Sequence, residues 1–587
     1  MVDFPINPSS LGDGFAATLK GQVTQSGQQR SIQSKTSHAR VIYWHYVEQY
    51  FGDASNLRGL ASDDEIRGVK RGVIQAEIAA ISIEKSMNTP AGSFEITLMP
   101  TVNWKQLISP GDWLVIQMFD QVSDPAVSNT NVVMFGNVDR ISRSKQKDQK
   151  TGKTLVRYSV TGRDFGKVFE DTDIFFNPYV PITSSKSLAD TLLHQKGLYI
   201  EGSPDTLVNQ TVDLFLSADG VDVKTANAEG TGHIDSLNQW FMPDEVLKFF
   251  GASSLGGSFN DILMRAVWPD LPGHAVRVSL SPNSNGALWG ILERSSNMVV
   301  NEIYVDLTRT DSGAAQPTLT LRPRPTSVFF SDTSGALNDN FFNLLDLVAT
   351  GDVVTMFHHD IKFDNLGRDG HARFNHIWLH PKMQDAESAV NQLGNIGADG
   401  GVGNPMQLRE SIRRYGLKRS EEVVDFIYNK DGKSLTASVD VIKSFLEQRY
   451  DQLAFHHLYE SGTVETSGTI QARLGVVLRI IPERFDATKS AADNPPTKIF
   501  YVEGYKHDWT FPGQWMTEWT LCCGQWESKD KPFIDLDSAD AGQFDTDFDV
   551  TSLVKTTIDR GPDVDESTTV AGVDVNSSLA DKIGGLV

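Results

Sequence analysis

The stretch ISIEKSMNTPAGSFEITLMPTVNWKQLISPGDWLVIQM, Ile81–Met118, decides how this chain reads. Phe94, Ile96 and Leu98 alternate with Ser93, Glu95 and Thr97, the period of a strand with one face in a core. Pro90-Ala91-Gly92 and Pro110-Gly111-Asp112 read as tight turns, because proline presets φ and glycine accepts a positive one. Leu114, Ile116 and Met118 then restart the apolar face. The segment predicts three short strands and holds no catalytic residue. It belongs to something that keeps a shape.

Composition sets wide bounds. A chain of 587 residues is long enough for roughly four domains. Apolar residues make up 40% and charged residues 22%, ordinary values for a soluble globular protein, and 48 Gly with 24 Pro favour a β-rich, turn-rich architecture. A net charge of −22 argues against a surface that coats nucleic acid. It leaves open a passage through which DNA slides without sticking. The only cysteines are the neighbours Cys522 and Cys523, whose side chains on a strand should point to opposite faces. Folding in a reducing compartment is expected. The start MVDFPINPSS lacks the apolar core of a signal peptide, and the longest apolar runs are far too short to span a bilayer, so folding in the cytoplasm and no membrane insertion are expected.

Along the chain, residues 1–73 form a weakly patterned N-terminal extension apart from Val41–Tyr46, which could anchor it on a neighbouring domain. Residues 74–174 read as all β. There a hairpin joins Val132–Ile141 to Leu155–Thr161 across a basic tip, RSKQKDQKTGK, carrying Arg143, Lys145, Lys147, Lys150 and Lys153 against one acid, Asp148. Such a tip is either a solvated end or an arm that docks on an acidic neighbour. Residues 175–300 are a mixed α+β insertion, with helices expected at Ser187–Lys196 and Met242–Phe250. Residues 301–351 and 381–462 read as an α+β domain, with strands at Glu302–Leu307 and Leu319–Leu321 and helices at Phe341–Thr350, Leu408–Tyr415 and Ser438–Leu458. Residues 352–380 and 463–533 hold a second β block. The last segment, 534–587, is an acidic tail whose twelve acids stand against Lys555, Arg560 and Lys582; it cannot bury enough to fold alone and is expected to be extended until a partner supplies a groove.

Candidates for chemistry are few. His376 and His380 have the spacing of two imidazoles on one helix face, but Phe374–Pro381 is β-branched and aromatic and reads as a strand. Gly397–Asn404 lacks the Lys-Ser/Thr of a phosphate loop and reads as a linker. Neither a GxSxG elbow nor an HExxH motif is present, and Asp545, Asp547 and Asp549 lack the glycine and glutamate of a calcium loop. No catalytic, cofactor or metal residue is named. A glycoside-hydrolase carboxylate pair remains open, because its separation is a structural quantity.

An ordered series of motifs resembles the baseplate hub proteins of contractile-tailed bacteriophages, the Mu-like hubs, which share a fold with the hub part of type VI secretion spikes. The series is SIEKSMNTPAGSFEITLMP, LISPGDWLVIQM, MFGNVDRISRS, YSVTGRDFGKVFED, NEIYVDL, LTLRPRP, GRDGHARFNHIWLHP, SIRRYGLK and FYVEGYKHDWTFPGQWMTEWTLCCG, covering about residues 75 to 526. The resemblance implies a β-rich α+β, multidomain chain with two tube-like β-barrels per subunit and mixed insertions. Three copies would form a pseudo-six-fold ring joining a six-fold tail tube to a three-fold central spike around a DNA passage. Implied partners are further copies of the chain, a tail tube or tube-initiator protein, the spike, and other baseplate proteins through the 534–587 tail. The implied place is the virion, after assembly in the host cytoplasm. The competing function is a tail-associated cell-wall hydrolase.

Most residues in these motifs are expected to shape the fold. Gly92, Pro110, Gly111 and Asp112 set turns, while Gly136, Gly162 and Gly504 mark bulges or close backbone approach. Arg163-Asp164 is expected to be a structural ion pair within one subunit, and Asn301-Glu302 with Arg322-Pro323-Arg324 to hold domains together.

Overall fold

The alternation in Ile81–Met118 becomes three strands in the structure, a computed structural model of the chain. It describes residues 37–46, 69–119, 128–147, 154–174, 199–217, 242–252, 258–268, 276–279, 286–298, 300–310, 313–325, 342–368, 374–381, 415–424, 459–482 and 497–527, with a few shorter pieces. Expectations for Ser187–Lys196, most of Ser438–Leu458, Lys150, Lys153 and the 534–587 tail lie outside the described residues.

Seven strands come from the first part of the chain: β1 (His38–Tyr46), β2 (Val69–Ile74), β3 (Ile78–Ser86), β4 (Ser93–Leu98), β5 (Trp113–Phe119), β6 (Val132–Lys147) and β7 (Thr154–Asp164). The β4 side chains bury Phe94, Ile96 and Leu98 as the alternation requires. Every residue of β5 is buried, because one face packs on the β3–β4 core and the other on helices of the middle region. The basic tip begins later than expected: β6 runs on to Lys147, so Arg143, Lys145 and Lys147 belong to a strand.

The middle region holds β8 (Met264–Val267), β9 (Asn301–Arg309) and β10 (Ala315–Pro323), with β10 parallel to β8 and antiparallel to β9. Helices Pro204–Leu216, Asp244–Phe249 and Leu288–Ser296 share one core with Ile42, Trp44, Trp113 and Phe135 of the large sheet. Phe250 reaches the Phe135 ring at 4.6 Å. Helix Leu344–Thr350 starts on an Asn343–Asp346 capping box and ends at Gly351, the glycine stop expected from the sequence.

The last part supplies β11 (Val353–Phe357), β12 (Ile361–Gly367), β13 (Glu460–Ser467), β14 (Val477–Ile481), β15 (Lys498–Thr510) and β16 (Gln514–Trp526). These six and the first seven make one sheet of 13 strands, in the order β12-β13-β16-β15-β3-β4-β7-β6-β5-β1-β2, with β14 on β15 and β11 on β14.

This overturns the expectation of two tube-like barrels. A barrel closes only when its first and last strands pair, and here β3, the strand that would close the first unit, pairs with β15 of the second. β12 and β2 end the path unpaired with each other, so the sheet is open.

The sheet is nevertheless built twice from one plan. The first unit runs β3-β4-β7-β6-β5-β1 and the second β12-β13-β16-β15-β14-β11, the same order of corresponding strands. The outermost pairs differ, β1 being antiparallel to β5 and β11 parallel to β14. Irregularities fall in step. The β6–β7 ladder slips at Asp139, and the β15–β16 ladder slips at Glu503. Matching those two bulges and carrying the register outward strand by strand superposes Ile96 on Val464 and Ile81 on Asp364. It then places the Ala79 bulge of β3 on the Lys362 bulge of β12. A bulge is a positioned feature of a ladder, so two coinciding bulges identify a duplicated unit.

A bulge also corrects the cysteine expectation. Cys523 sits at φ 55° where the β15–β16 ladder slips, and the two cysteines, not joined by a disulfide, bring their sulfurs to 3.4 Å instead of pointing to opposite faces.

Candidate functional site

Two features of this sheet bear on function: a buried polar seam that fastens its parts, and the edges it leaves open. The seam is built on β9. Glu302, Tyr304 and Asp306 are two residues apart and share one strand face, which points at the large sheet. Arg322, directly opposite on β10, donates from Nε to Glu302 at 2.8 Å and from Nη2 to the Tyr501 hydroxyl at 3.1 Å and the Gly475 carbonyl. Tyr501 donates to Glu302. Asp306 accepts from the Tyr505 hydroxyl at 2.9 Å and the Leu474 N–H at 2.6 Å. Arg309 donates to Ile470 O at 3.1 Å and Val132 O at 2.9 Å, touching both sheet units. Burial pushes the Asp306 carboxyl up and the Tyr501 and Tyr505 phenols well up, so both tyrosines keep the protons they donate.

A second buried pair stands at the junction of the units. Lys85 of β3 meets Asp164 of β7, both nearly fully buried, and Asp164 also accepts from Gly166 N at 2.9 Å. Burial pushes the Lys85 ammonium down to about 8, against the pull of Asp306 and Glu170. Next to it, His507 of β15 lies opposite Ile83, with Nδ1 2.9 Å from Thr517 Oγ1. Burial pushes this imidazole down to about 3.

Below about pH 6.5 the unfolded chain takes up a proton that the folded chain refuses, so stability falls as pH falls from 6.5 toward 3. Between pH 7 and 5 this one group should cost about 2 kcal/mol. Urea unfolding of His507→Gln at the two pH values should show that much less acid sensitivity than the parent; equal slopes would contradict the assignment.

The expected fold-shaping residues take these places. Gly111 has φ 92° at the turn between Ser109 and Asp112, closed by Asp112 N to Ser109 O at 3.2 Å, with Pro110 beside it. Asp112 is buried, accepts from Ser109 N at 2.7 Å and lies 2.9 Å from His45 Nδ1. Gly136 lies opposite Asp164 and Gly162 opposite Val138 on the β6–β7 ladder, both against the Phe94 ring, and a Cβ on Gly162 would lie 2.2 Å from Asn137 O. Gly92 abuts Glu84 O, and Gly504 lies against Lys85 O at the unit junction. Arg163 and Asp164 do not pair with each other. Neighbours on a strand point opposite ways, so Arg163 takes Asp139, Glu170 and Asp171 while Asp164 takes Lys85. Glu302 and Arg322 bond each other and reach Tyr501 and Gly475 of the second sheet unit; Tyr501, Tyr505 and Asp306 were not signalled, because nothing local marks a residue whose partner is about 200 positions away.

Of the basic arm, Arg143, Lys145 and Lys147 are exposed on the distal half of β6, with Arg143 over the Tyr158 ring at 5.9 Å. That half pairs with β7 on one side, while β5 stops pairing at Val132–Asn137, and among the described residues no strand covers its other side. The second open edge is β12, whose outer side likewise has no strand on it among the described residues. It carries exposed Asp364 and Phe363, the latter 59% exposed.

Among the described residues no group of three or more His, Cys, Asp or Glu side chains is arranged to hold a metal ion. His376–Pro381 is a strand. An open cavity of about 460 Å³ between the two units, lined by Phe119, Asn131, Met356 and Trp515, includes a single ionisable side chain, Asp360. No described helix is long and apolar enough to cross a membrane.

No family model and no curated protein matches the chain. The chain shows weak similarity to solved structures of tail proteins and of a type VI secretion component. A tail protein from Neisseria meningitidis matches at 11% identity and TM-score 0.36, covering 82% of this chain and 96% of that one. A 43 kDa tail protein of prophage MuSo2 from Shewanella oneidensis matches at 10% identity and TM-score 0.38, covering 82% and 98%. A component of the E. coli type VI secretion system, described as structurally similar to phage T4 tail proteins, matches at 7% identity and TM-score 0.29, covering 77% and 76%. Superposition this loose assigns no role to the chain.

Proposed function

We propose that this chain is a structural subunit of a phage-type contractile tail, a trimeric hub that joins a six-fold tube to a three-fold spike. The observation that carries this reading is the duplicated sheet unit. A chain holding one plan twice offers six near-equivalent surfaces when three copies close a ring, which is what a three-fold to six-fold adaptor needs. The open sheet supports it as well: an exposed strand edge is a template for further pairing, and a closed ring leaves none. The ordered sequence motifs from residue 75 to 526 agree.

In this reading the partners are two further copies, a tube protein, a spike protein and, through residues 534–587, another baseplate component. DNA passes through the centre without base-specific contacts. The chain folds in the host cytoplasm and ends in the virion's baseplate. Its work is holding shape, and the buried ionic clusters serve the fold, since each is satisfied by partners within the chain.

Class averages of the purified full chain in electron micrographs should show a three-fold ring with a central opening. Single elongated particles at high concentration, or solubilisation of peptidoglycan by the pure protein, would contradict the proposal.

A further inference from the structure

β15 and β6 are corresponding strands with unequal company. The proximal half of β15 pairs with β14 and its distal half, Gly504–Thr510, pairs with β3 across the unit junction. The proximal half of β6 pairs with β5, as β15 does with β14, and its distal half meets no partner strand on that side among the described residues. The same asymmetry holds for β3 and β12: the outer side of β3 is taken by β15, while among the described residues no strand lies on the outer side of β12. The chain therefore holds one complete joint and, at its two ends, the two separate halves of a second.

We propose that those halves meet between copies: the distal half of β6 in one copy pairs antiparallel with β12 of the next, in the register that β15 and β3 adopt within the chain. This rests on the ring reading above and names the seam that would close it.

The coinciding bulges fix the register. Gly504 corresponds to Arg140, so His507, Asp508 and Trp509 correspond to Arg143, Ser144 and Lys145. Ile83, Ser82 and Ile81 correspond to Leu366, Asn365 and Asp364. Within the chain His507 faces Ile83, Asp508 faces Ser82 and Trp509 faces Ile81, with Ser82 Oγ donating to Asp508 at 2.7 Å. Between copies Arg143 then faces Leu366, Ser144 faces Asn365, and Lys145 faces Asp364.

The side chains fit a joint made after folding. Trp509 and Ile81 are buried in one apolar core, suiting a junction formed as the chain folds. At the corresponding places stand exposed Lys145 and exposed Asp364, of opposite sign. Charges on an open edge resist indiscriminate strand addition, and opposite charges on two edges let each accept the other and repel its own kind. The edges are thus soluble while apart and complementary when together.

The test uses the full chain. Its mass in solution is measured first, because a monomer would overturn the ring reading itself. Two paired variants follow, Lys145→Cys with Asp364→Cys, and Ser144→Cys with Asn365→Cys. Adjacent cross-strand pairs alternate between close and wide geometry, so one of the two lies within disulfide reach. Mild oxidation should give covalent dimers and trimers from that pair. The mixed pair Ser144→Cys with Asp364→Cys, whose side chains face opposite sides of the sheet, should give none. An assembled ring with no cross-link from either in-register pair would overturn this seam and leave the ring standing. Independently, Lys145→Glu should weaken each contact about tenfold, and adding Asp364→Lys should restore it. A double variant no tighter than the single one would also overturn the seam.

Discussion

Replacing Glu302 by alanine should cost about 3–5 kcal/mol, because it leaves the buried Arg322 guanidinium without its carboxylate. The loss is not confined to one pair. Glu302 also accepts the Tyr501 proton, and Arg322 spans from β10 to Gly475 and Tyr501 of the second sheet unit. With the carboxylate gone, a charge and a hydroxyl remain buried without the acceptor they shared. The middle region and the second unit should then unfold at different urea concentrations, where the parent shows one transition. Glu302→Gln, which keeps an acceptor but not the charge, should lose less. Unfolding curves indistinguishable from the parent would show that the cluster does not fasten the two parts.

Asp164→Ala should be about as damaging, again about 3–5 kcal/mol. Asp164 is the contact partner of buried Lys85 and also holds Gly166 N at the start of the short helix Lys167–Asp171. Lys85 lies on β3, the strand by which the first unit joins the second, so the damage should appear at the junction. Changing both residues, Lys85→Met with Asp164→Leu, removes the ions together and should recover much of the loss, since two satisfied apolar groups can replace a buried ion pair. Thermal unfolding of the three variants decides this; a double variant less stable than Asp164→Ala would contradict it.

Much of the fold was legible from local pattern. The alternation around Phe94–Leu98, the Pro110-Gly111 turn and the glycine stop at Gly351 are short-range signals, and each gave the right element. Closure was not legible. Whether β3 turns back on its own unit or joins β15 depends on pairing between residues more than 400 apart, such as Ile81 with Trp509. Alternation looks the same in a barrel and in an open sheet. The duplication was hidden for a related reason: corresponding positions hold unlike residues, Trp509 with Lys145 and Ile81 with Asp364. Only the ladder and its bulges preserve the match. The charged run 143–153 obscured a strand, although Arg143, Lys145 and Lys147 already alternate with Ser142, Ser144 and Gln146. The Cys522-Cys523 geometry needed the bulge that no local rule placed there.

The central claim is that copies of this chain close into a ring of three. Light scattering on the purified full chain across a range of concentrations tests it most directly. Three chains of 64.8 kDa predict a single species of about 194 kDa. A clean 64.8 kDa monomer at the highest concentration reached would contradict the account.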